Sequence, residues 1–118
     1  MTLIDAITVF DKTRPNSFDF ETKRRWVLTL ETEIRRFACL HGNNTFNTEL
    51  FKEENPKLFL DECSTDLYVA YLVSMGDLAN AEYRLYNLSG TYFNNAFAKW
   101  KKLFRSSNCP NQAVSIKV

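Results

Sequence analysis

The fold is decided by residues 64–105, which read STDLYVAYLVSMGDLANAEYRLYNLSGTYFNNAFAKWKKLFR. Apolar side chains recur there at steps of three and four, which is the period of a helix and not of a strand. In the first half they are Tyr68, Tyr71, Leu72, Met75, Leu78, Ala79, Tyr83 and Tyr86, and in the second half Tyr92, Phe93, Ala96, Phe97, Trp100 and Phe104. Such an aromatic surface must be covered by the rest of the chain, by neighbouring subunits, or by both.

This pattern predicts one long helix, a short break and a second long helix. Ser64 or Thr65 is suited to cap the first of the two, which is expected to end between Asn87 and Ser89. Gly76 falls in its interior at a cost of about 1 kcal/mol relative to alanine. A glycine at such a position indicates close packing or a bend.

Gly90 is predicted to form the break, because glycine is a frequent helix terminator. Thr91 is then the cap of a last helix that runs to about Arg105. Residues 106–118 follow as an extended C-terminal tail with a proline, and their closing alternation of Val114, Ile116 and Val118 is typical of a strand. A single strand at a terminus needs a partner edge, so the tail is predicted to be disordered or strand-like until something binds it.

Two further helices are predicted upstream. Thr2 caps a helix of about residues 3–12, and Asp19 caps one of about residues 20–40 that stops at Gly42. Their predicted buried stripes are Leu3, Ile7 and Phe10 in the first helix, and Trp26 or Val27, Leu30, Ile34 and Phe37 in the second. The charged residues Lys23, Arg24, Arg25, Glu31, Arg35 and Arg36 are expected mostly on the opposite side, with Glu31 and Arg35 as an i,i+4 pair.

Residues 43–62 are predicted to be a structured connector, because apolar residues are too frequent there for disorder. Phe46, Leu50 and Phe51 are compatible with a short helical turn. Residues 58–60, Leu-Phe-Leu, are expected to pack on the core.

Composition supports an all-α fold, a small bundle of about four helices with two long C-terminal helices. The chain has 118 residues and only three glycines and three prolines, whereas all-β folds need many tight turns. This length corresponds to one helical domain, assigned to residues 1–105, followed by the tail.

The charge is distributed unevenly. Residues 1–82 carry nine basic and fourteen acidic side chains, a balance of −5, and residues 83–118 carry six basic and no acidic ones, a balance of +6. This polarity predicts a molecule whose two parts meet different surfaces. A solvated basic helix end, which the helix dipole favours, accounts for the same pattern.

The sequence offers little for catalysis or metal binding. It has one histidine, and Cys39-Leu40-His41 is a weak zinc signal because the other cysteines are distant. Asp77 and Glu82 are five residues apart and share no tight helix face, so polar packing or a subunit contact is the better interpretation than acid–base work. No enzyme activity and no cofactor are predicted. An odd number of cysteines and the lack of a signal peptide or a long apolar run predict a cytoplasmic protein without a membrane segment.

Nucleic-acid binding is the competing hypothesis, in the form of a small helical nucleic-acid-binding or regulatory adaptor protein. Lys23-Arg24-Arg25 and residues 99–105 are basic clusters with aromatic residues nearby. The total charge is only +1, however, and no recognition motif is present. The aromatic residues follow helical stripes, which favours a core role over stacking on bases.

The run from Tyr68 to Asn87, followed by Phe93-Asn94 and Trp100, resembles the C-terminal half of head–tail connector proteins. These are the adaptor, or head-completion, proteins of tailed bacteriophages of Gram-positive hosts and of their prophages. The most specific part is the spacing Asn80-x-Glu82-x3-Tyr86-Asn87-x5-Phe93-Asn94. The Arg14-Pro15-Asn16 turn and the following Lys23, Trp26, Leu30 and Ile34 also fit, so the resemblance covers about residues 14–105.

The resemblance implies a structural virion protein without catalytic residues. It implies a dodecameric ring under the portal protein that extends the channel for genomic DNA, without sequence-specific contacts, and offers a platform for the stopper or tail-completion protein. The expected location is the neck of the virion, and the host cytoplasm during assembly. Helix packing or subunit contacts are expected at Asp77, Asn80, Glu82, Tyr86, Asn87 and Asn94, and docking to portal at Val114, Ile116, Val118, Lys101, Lys102 and Arg105.

Overall fold

The computed structural model describes residues 1–42, 52–61 and 64–108, and these form an all-helical bundle. The four helices are α1 (Leu3–Thr13), α2 (Phe20–His41), α3 (Thr65–Ala79) and α4 (Tyr83–Asn108). Within the described ranges no β-strand occurs, and the one isolated bridge pairs Thr2 with Lys57. The prediction of a small helical bundle is therefore confirmed. The predicted turn at Phe46, Leu50 and Phe51 and the strand-like end of the tail lie outside the described residues.

The starts of α1 and α2 follow their caps as predicted. The Thr2 hydroxyl accepts from the Asp5 N–H while the Asp5 carboxylate accepts from the Thr2 N–H, which is a complete capping box. The Asp19 carboxylate accepts from the Thr22 N–H at 2.8 Å. Each cap satisfies N–H groups that the first helical turn leaves without an intrahelical partner.

The break between the two C-terminal helices lies ten residues earlier than predicted. α3 ends at Ala79 and α4 begins at Tyr83, so Gly90 is an interior residue of α4 and Thr91 is not a cap. The turn contains Ala81 in the left-handed region, at a φ of 57°. It is held by the Glu82 N–H, which donates to the Asp77 carbonyl oxygen at 2.9 Å. Ser64 occupies the cap position of α3 but makes no side-chain cap bond.

α3 lies in the middle of the bundle and packs against the other three helices, most extensively against α4. Gly76 allows this close packing, because a Cβ there would lie 3.3 Å from Cε2 of Phe18. The core contains the predicted stripe of α1 and, from the predicted stripe of α2, Trp26, Val27, Leu30 and Ile34, whereas Phe37 is half-buried and lies outside it. Leu58 and Leu60 of the connector and Tyr68, Leu72 and Phe93 of the C-terminal helices complete the core. The predictions for the α1 stripe, for residues 58–60 and for close packing at Gly76 are confirmed.

Two charged residues of α2 are buried, although the sequence places them on the outer side. Lys23 is 7% exposed and donates to Asp11 at 2.9 Å, and Glu31 is 1% exposed. Glu31 forms the predicted pair with Arg35 at 2.6 Å, and it also accepts from the Phe59 N–H and from the Tyr68 hydroxyl. These partners replace the water that a buried carboxylate loses, which is why burial is tolerated.

Candidate functional site

A buried polar anchor joins the α3–α4 turn to the rest of the bundle. Asp77 is 1% exposed and accepts from the Arg14 guanidinium through Oδ1 and from the Ser89 hydroxyl through Oδ2, the latter at 2.8 Å. Arg14 comes from the α1–α2 connection and Ser89 from α4. One carboxylate therefore ties three segments together, which fits the packing role predicted for Asp77.

The other five residues expected at packing or subunit contacts lie nearer the surface. Tyr86 is half-buried, and its ring is 3.7 Å from the position that a Cβ on Gly90 would take. The remaining four, Asn80, Glu82, Asn87 and Asn94, are exposed. Asn80 and Glu82 belong to the turn, and Asn87 and Asn94 lie seven residues apart on one side of α4.

The two parts of the sequence resemblance meet at this turn. Arg14, Pro15 and Asn16 line one side of a cavity of about 370 Å³, and Asn80 and Glu82 line another. The sequence contains both patterns but gives no sign that they are neighbours, because they are more than sixty residues apart. The lining of this cavity includes one arginine and one glutamate, together with apolar side chains.

Four large apolar side chains remain exposed along one side of α4. We name the surface that they form the α4 ridge; it consists of Leu85 (40% exposed), Leu88 (67%), Tyr92 (63%) and Leu103 (56%). Helical geometry places these four residues within about one quarter of the circumference of α4. Arg84, Lys99 and Lys102 are exposed along the same side. Beside Tyr92 lies a cavity of about 300 Å³, formed with Thr13, Val69 and Val73.

A neighbouring side of α4, which faces α2 and α3, carries the aromatic cluster that the sequence predicts. Phe93, Phe97, Trp100 and Phe104 stack in series with centroid distances of 5.4, 5.9 and 5.2 Å. Phe37 of α2 contacts Trp100 at 5.7 Å. Phe93 packs on Tyr71 of α3, with 5.0 Å between ring centroids. The rings therefore fill the contacts of α4 with both α2 and α3.

Of the residues expected to dock on portal, three lie within the described part of the chain. The Lys101 ammonium is 4.3 Å from the Phe97 ring centroid, and the Arg105 guanidinium is 6.0 Å from that of Phe37. Lys102 is exposed. Cations placed over aromatic faces are stabilised by the ring quadrupole, so Lys101 and Arg105 have a packing role as well as a charge. Val114, Ile116 and Val118 lie outside the described residues.

The described geometry adds no support for a zinc site at Cys39 and His41. Cys39 is exposed, and the His41 ring packs on Phe37 with 4.3 Å between centroids. Among the residues that the structure describes, no three potential metal ligands come together, and Cys63 and Cys109 lie outside them. None of the described helices is both long and apolar enough to cross a membrane.

Sequence reasoning missed three participants in the polar interior, namely Lys23, Glu31 and Ser89. A signal existed for Glu31, because it falls on the i, i+3, i+4 steps that link Val27, Leu30 and Ile34. No comparable pattern marks Ser89, whose role depends on Asp77 being opposite.

The comparisons with known proteins return no counterpart: the chain matches no protein-family model, no curated protein and no solved structure.

Proposed function

We propose that this protein is a head–tail connector, an adaptor that assembles as a dodecameric ring under the portal of a tailed bacteriophage or prophage. Such a ring extends the DNA channel and gives the stopper or tail-completion protein a platform. The proposal places the protein in the neck of the virion, and in the host cytoplasm during assembly. It assigns no chemistry to any residue.

The observation that carries the proposal is the position of the resembling run. Residues 68–100 fold as the hairpin of α3 and α4, and the outer side of this hairpin is the α4 ridge. Large apolar side chains that stay exposed in one subunit, rimmed by polar residues, are typical of a surface that another protein covers. A ring component needs such surfaces on every subunit.

Docking on portal is assigned to the basic end of α4 together with the tail. Lys101, Lys102 and Arg105 lie in the last turns of α4, where no acidic side chain offsets them. An acidic portal surface is the complementary partner. Val114, Ile116 and Val118 supply the alternating apolar residues that an added strand requires.

The proposal is tested by mixing the purified protein with purified portal rings and imaging the particles by negative stain. We expect an additional ring of density on one end of the portal, and little assembly of the protein alone at low concentration. Deleting residues 109–118 leaves α4 intact and should abolish or strongly weaken attachment. Portal rings that stay bare at saturating protein contradict the proposal, and unchanged attachment of the truncated chain contradicts the role of the tail.

A small nucleic-acid-binding or regulatory adaptor is the second candidate. It is favoured by α4, which carries five basic and no acidic side chains over 26 residues. Direct binding to duplex DNA would show a steep fall in affinity with salt, because phosphate contacts release counterions. Measuring binding between about 50 and 200 mM salt separates the two functions, since a connector only surrounds DNA that passes through its channel.

A further inference from the structure

Every charged side chain on α4 is basic, and this limits how two copies of the chain can pack. The helix carries Arg84, Lys99, Lys101, Lys102 and Arg105. A two-fold contact between two α4 ridges would bring these cations against their own copies across an apolar seam. Like charges facing each other at an interface oppose association. The α4 ridge therefore requires a different surface as its partner.

A surface with an adjacent pair of exposed carboxylates lies around the first turn of α1. The Leu3 N–H donates to the Pro56 carbonyl oxygen at 3.0 Å, and the Ile4 N–H donates to Asn55 Oδ1 at 2.9 Å. These bonds hold Asn55 and Pro56 against the start of α1. We name the surface formed by residues 3–5 and 53–57 the α1 edge; its exposed acidic residues are Asp5, Glu53 and Glu54.

The α1 edge also offers apolar area. Ile4 is 41% exposed at its centre. Lys52 and Lys57 lie in the same segment, and the Arg24 guanidinium donates to the Glu53 carbonyl oxygen at 2.7 Å. The acidic part of the α1 edge is therefore the adjacent pair of exposed carboxylates Glu53 and Glu54, which together with the exposed Ile4 side chain is the counterpart of a ridge that is apolar and positive.

The α1 edge and the α4 ridge are separate surfaces of one subunit. α1 and α4 both pack on α3 and are not closely packed on each other. Each copy therefore presents both the α4 ridge and the α1 edge at the same time. A contact between two different surfaces is heterologous, and it generates a ring when its rotation closes.

We infer that the α4 ridge of one copy packs on the α1 edge of the next copy, with Lys99 facing Glu53 and Glu54. This contact deepens the proposed ring function and rests on it, because it names the surfaces that join neighbouring subunits. The charge balance of −5 for residues 1–82 and +6 for residues 83–118 is then the electrostatic match between successive subunits. The Leu85, Leu88 and Tyr92 side chains supply the apolar part of the seam.

Two charge-reversal variants test this contact. The ridge variant is Lys99→Glu, and the edge variant is Glu53→Lys with Glu54→Lys. All three side chains are exposed, so both variants are expected to fold, which circular dichroism and thermal unfolding check. Assembly is measured by sedimentation velocity over a concentration series, and on portal rings by negative stain.

Each variant alone should need at least about tenfold more protein than the unchanged chain to assemble, because like charges then face each other. An equimolar mixture of the two variants should recover assembly. In the mixture an unchanged ridge meets an unchanged edge, and a reversed ridge meets a reversed edge. Arg25→Glu, which alters an exposed cation of α2 instead, is the control and should assemble like the unchanged chain.

The outcomes distinguish this inference from the proposed function. Variants that assemble normally, or a mixture that does not recover assembly, overturn the ridge-to-edge contact. The connector function still stands in that case if the unchanged chain forms a ring on portal. An unchanged chain that stays monomeric at high concentration and on portal overturns both. If the mixture recovers assembly only on portal rings, the contact is supported. The lack of assembly in the free protein is then attributed to a protein concentration that is too low.

Discussion

Tyr68 donates its hydroxyl hydrogen to Glu31 Oε1 at 2.6 Å in the interior between α3 and α2. Burial, and next the charge of Glu31, raise the pKa of Tyr68, so the phenol stays protonated as a donor. The same carboxylate accepts from Arg35 and from the Phe59 N–H. Glu31 therefore joins α2, α3 and the connector through one side chain.

We expect Glu31→Ala to destabilise the protein by about 3 kcal/mol or more, since it removes one partner of a buried ion pair and leaves the Phe59 N–H unsatisfied. Tyr68→Phe should cost about 1–2 kcal/mol, and the double variant should cost less than the sum. Urea unfolding of the three variants measures this coupling. Glu33→Ala is the control, because that carboxylate is exposed and should change stability by less than about 0.5 kcal/mol. Equal effects of Glu31→Ala and Glu33→Ala would contradict the network.

Asp77→Ala should cost about 1.5–3 kcal/mol, because Ser89 and Arg14 lose a shared charged acceptor. The cost should be smaller than for Glu31, since the Arg14 side chain is 44% exposed and water can solvate it. Ser89→Ala removes only the hydroxyl contact and should cost about 1 kcal/mol. Thermal unfolding of both variants checks the order of the two effects, and a Ser89→Ala cost above that of Asp77→Ala would be inconsistent with this anchor.

Gly90→Ala should stabilise the protein by up to about 1 kcal/mol, because Gly90 lies inside α4 and its new Cβ would meet Tyr86 at an ordinary 3.7 Å. Gly76→Ala is the matched comparison, since its Cβ would lie 3.3 Å from Phe18 and the helical gain is offset by moving that ring. Denaturant midpoints of both variants provide the test. A loss of stability in Gly90→Ala would indicate that the helix ends there, as the sequence alone predicts.

Ala81→Gly should stabilise the protein by about 0.5–1 kcal/mol. Ala81 has a φ of 57°, where a Cβ is crowded and glycine is not. The gain is reduced by the greater freedom of glycine in the unfolded chain. Ala79→Gly, two residues earlier and helical, is the control and should destabilise instead. If both substitutions destabilise alike, the left-handed turn is wrong.

Acid should destabilise the protein below about pH 4. Hydrogen bonding to Thr22 lowers the pKa of Asp19, and the Lys23 and Asn16 hydrogen bonds lower the pKa of Asp11 despite the opposing effect of burial. A lowered folded-state pKa contributes stability above the unfolded value, and that stability is lost as the pH falls through the folded value. Asp11→Asn should therefore flatten the decline in melting temperature between about pH 4 and pH 2, and thermal unfolding of this variant and the unchanged chain over that pH range measures the effect.

Helix periodicity was enough to predict the fold class and three of the four helix starts. The caps Thr2 and Asp19 act locally, and a side chain that bonds an N–H three residues away depends on nothing distant. The predicted break at Gly90 is wrong, because the position of a helix end depends on packing with distant parts of the chain. Glycine is tolerated inside a helix when packing holds it, and the true turn uses Ala81, which no local rule marks.

The sequence by itself determined the helices, the apolar faces and the unequal charge of the two parts of the chain, because these follow from residues three or four positions apart. Only the tertiary structure decided that Glu31 and Asp77 are buried and that the Arg14 turn meets Asn80 and Glu82. It also decided that the α4 ridge remains exposed while Phe93 and Tyr68 do not. The physical reason is that burial of a charge or a ring depends on partners brought from distant positions, and periodicity carries no information about which partner arrives.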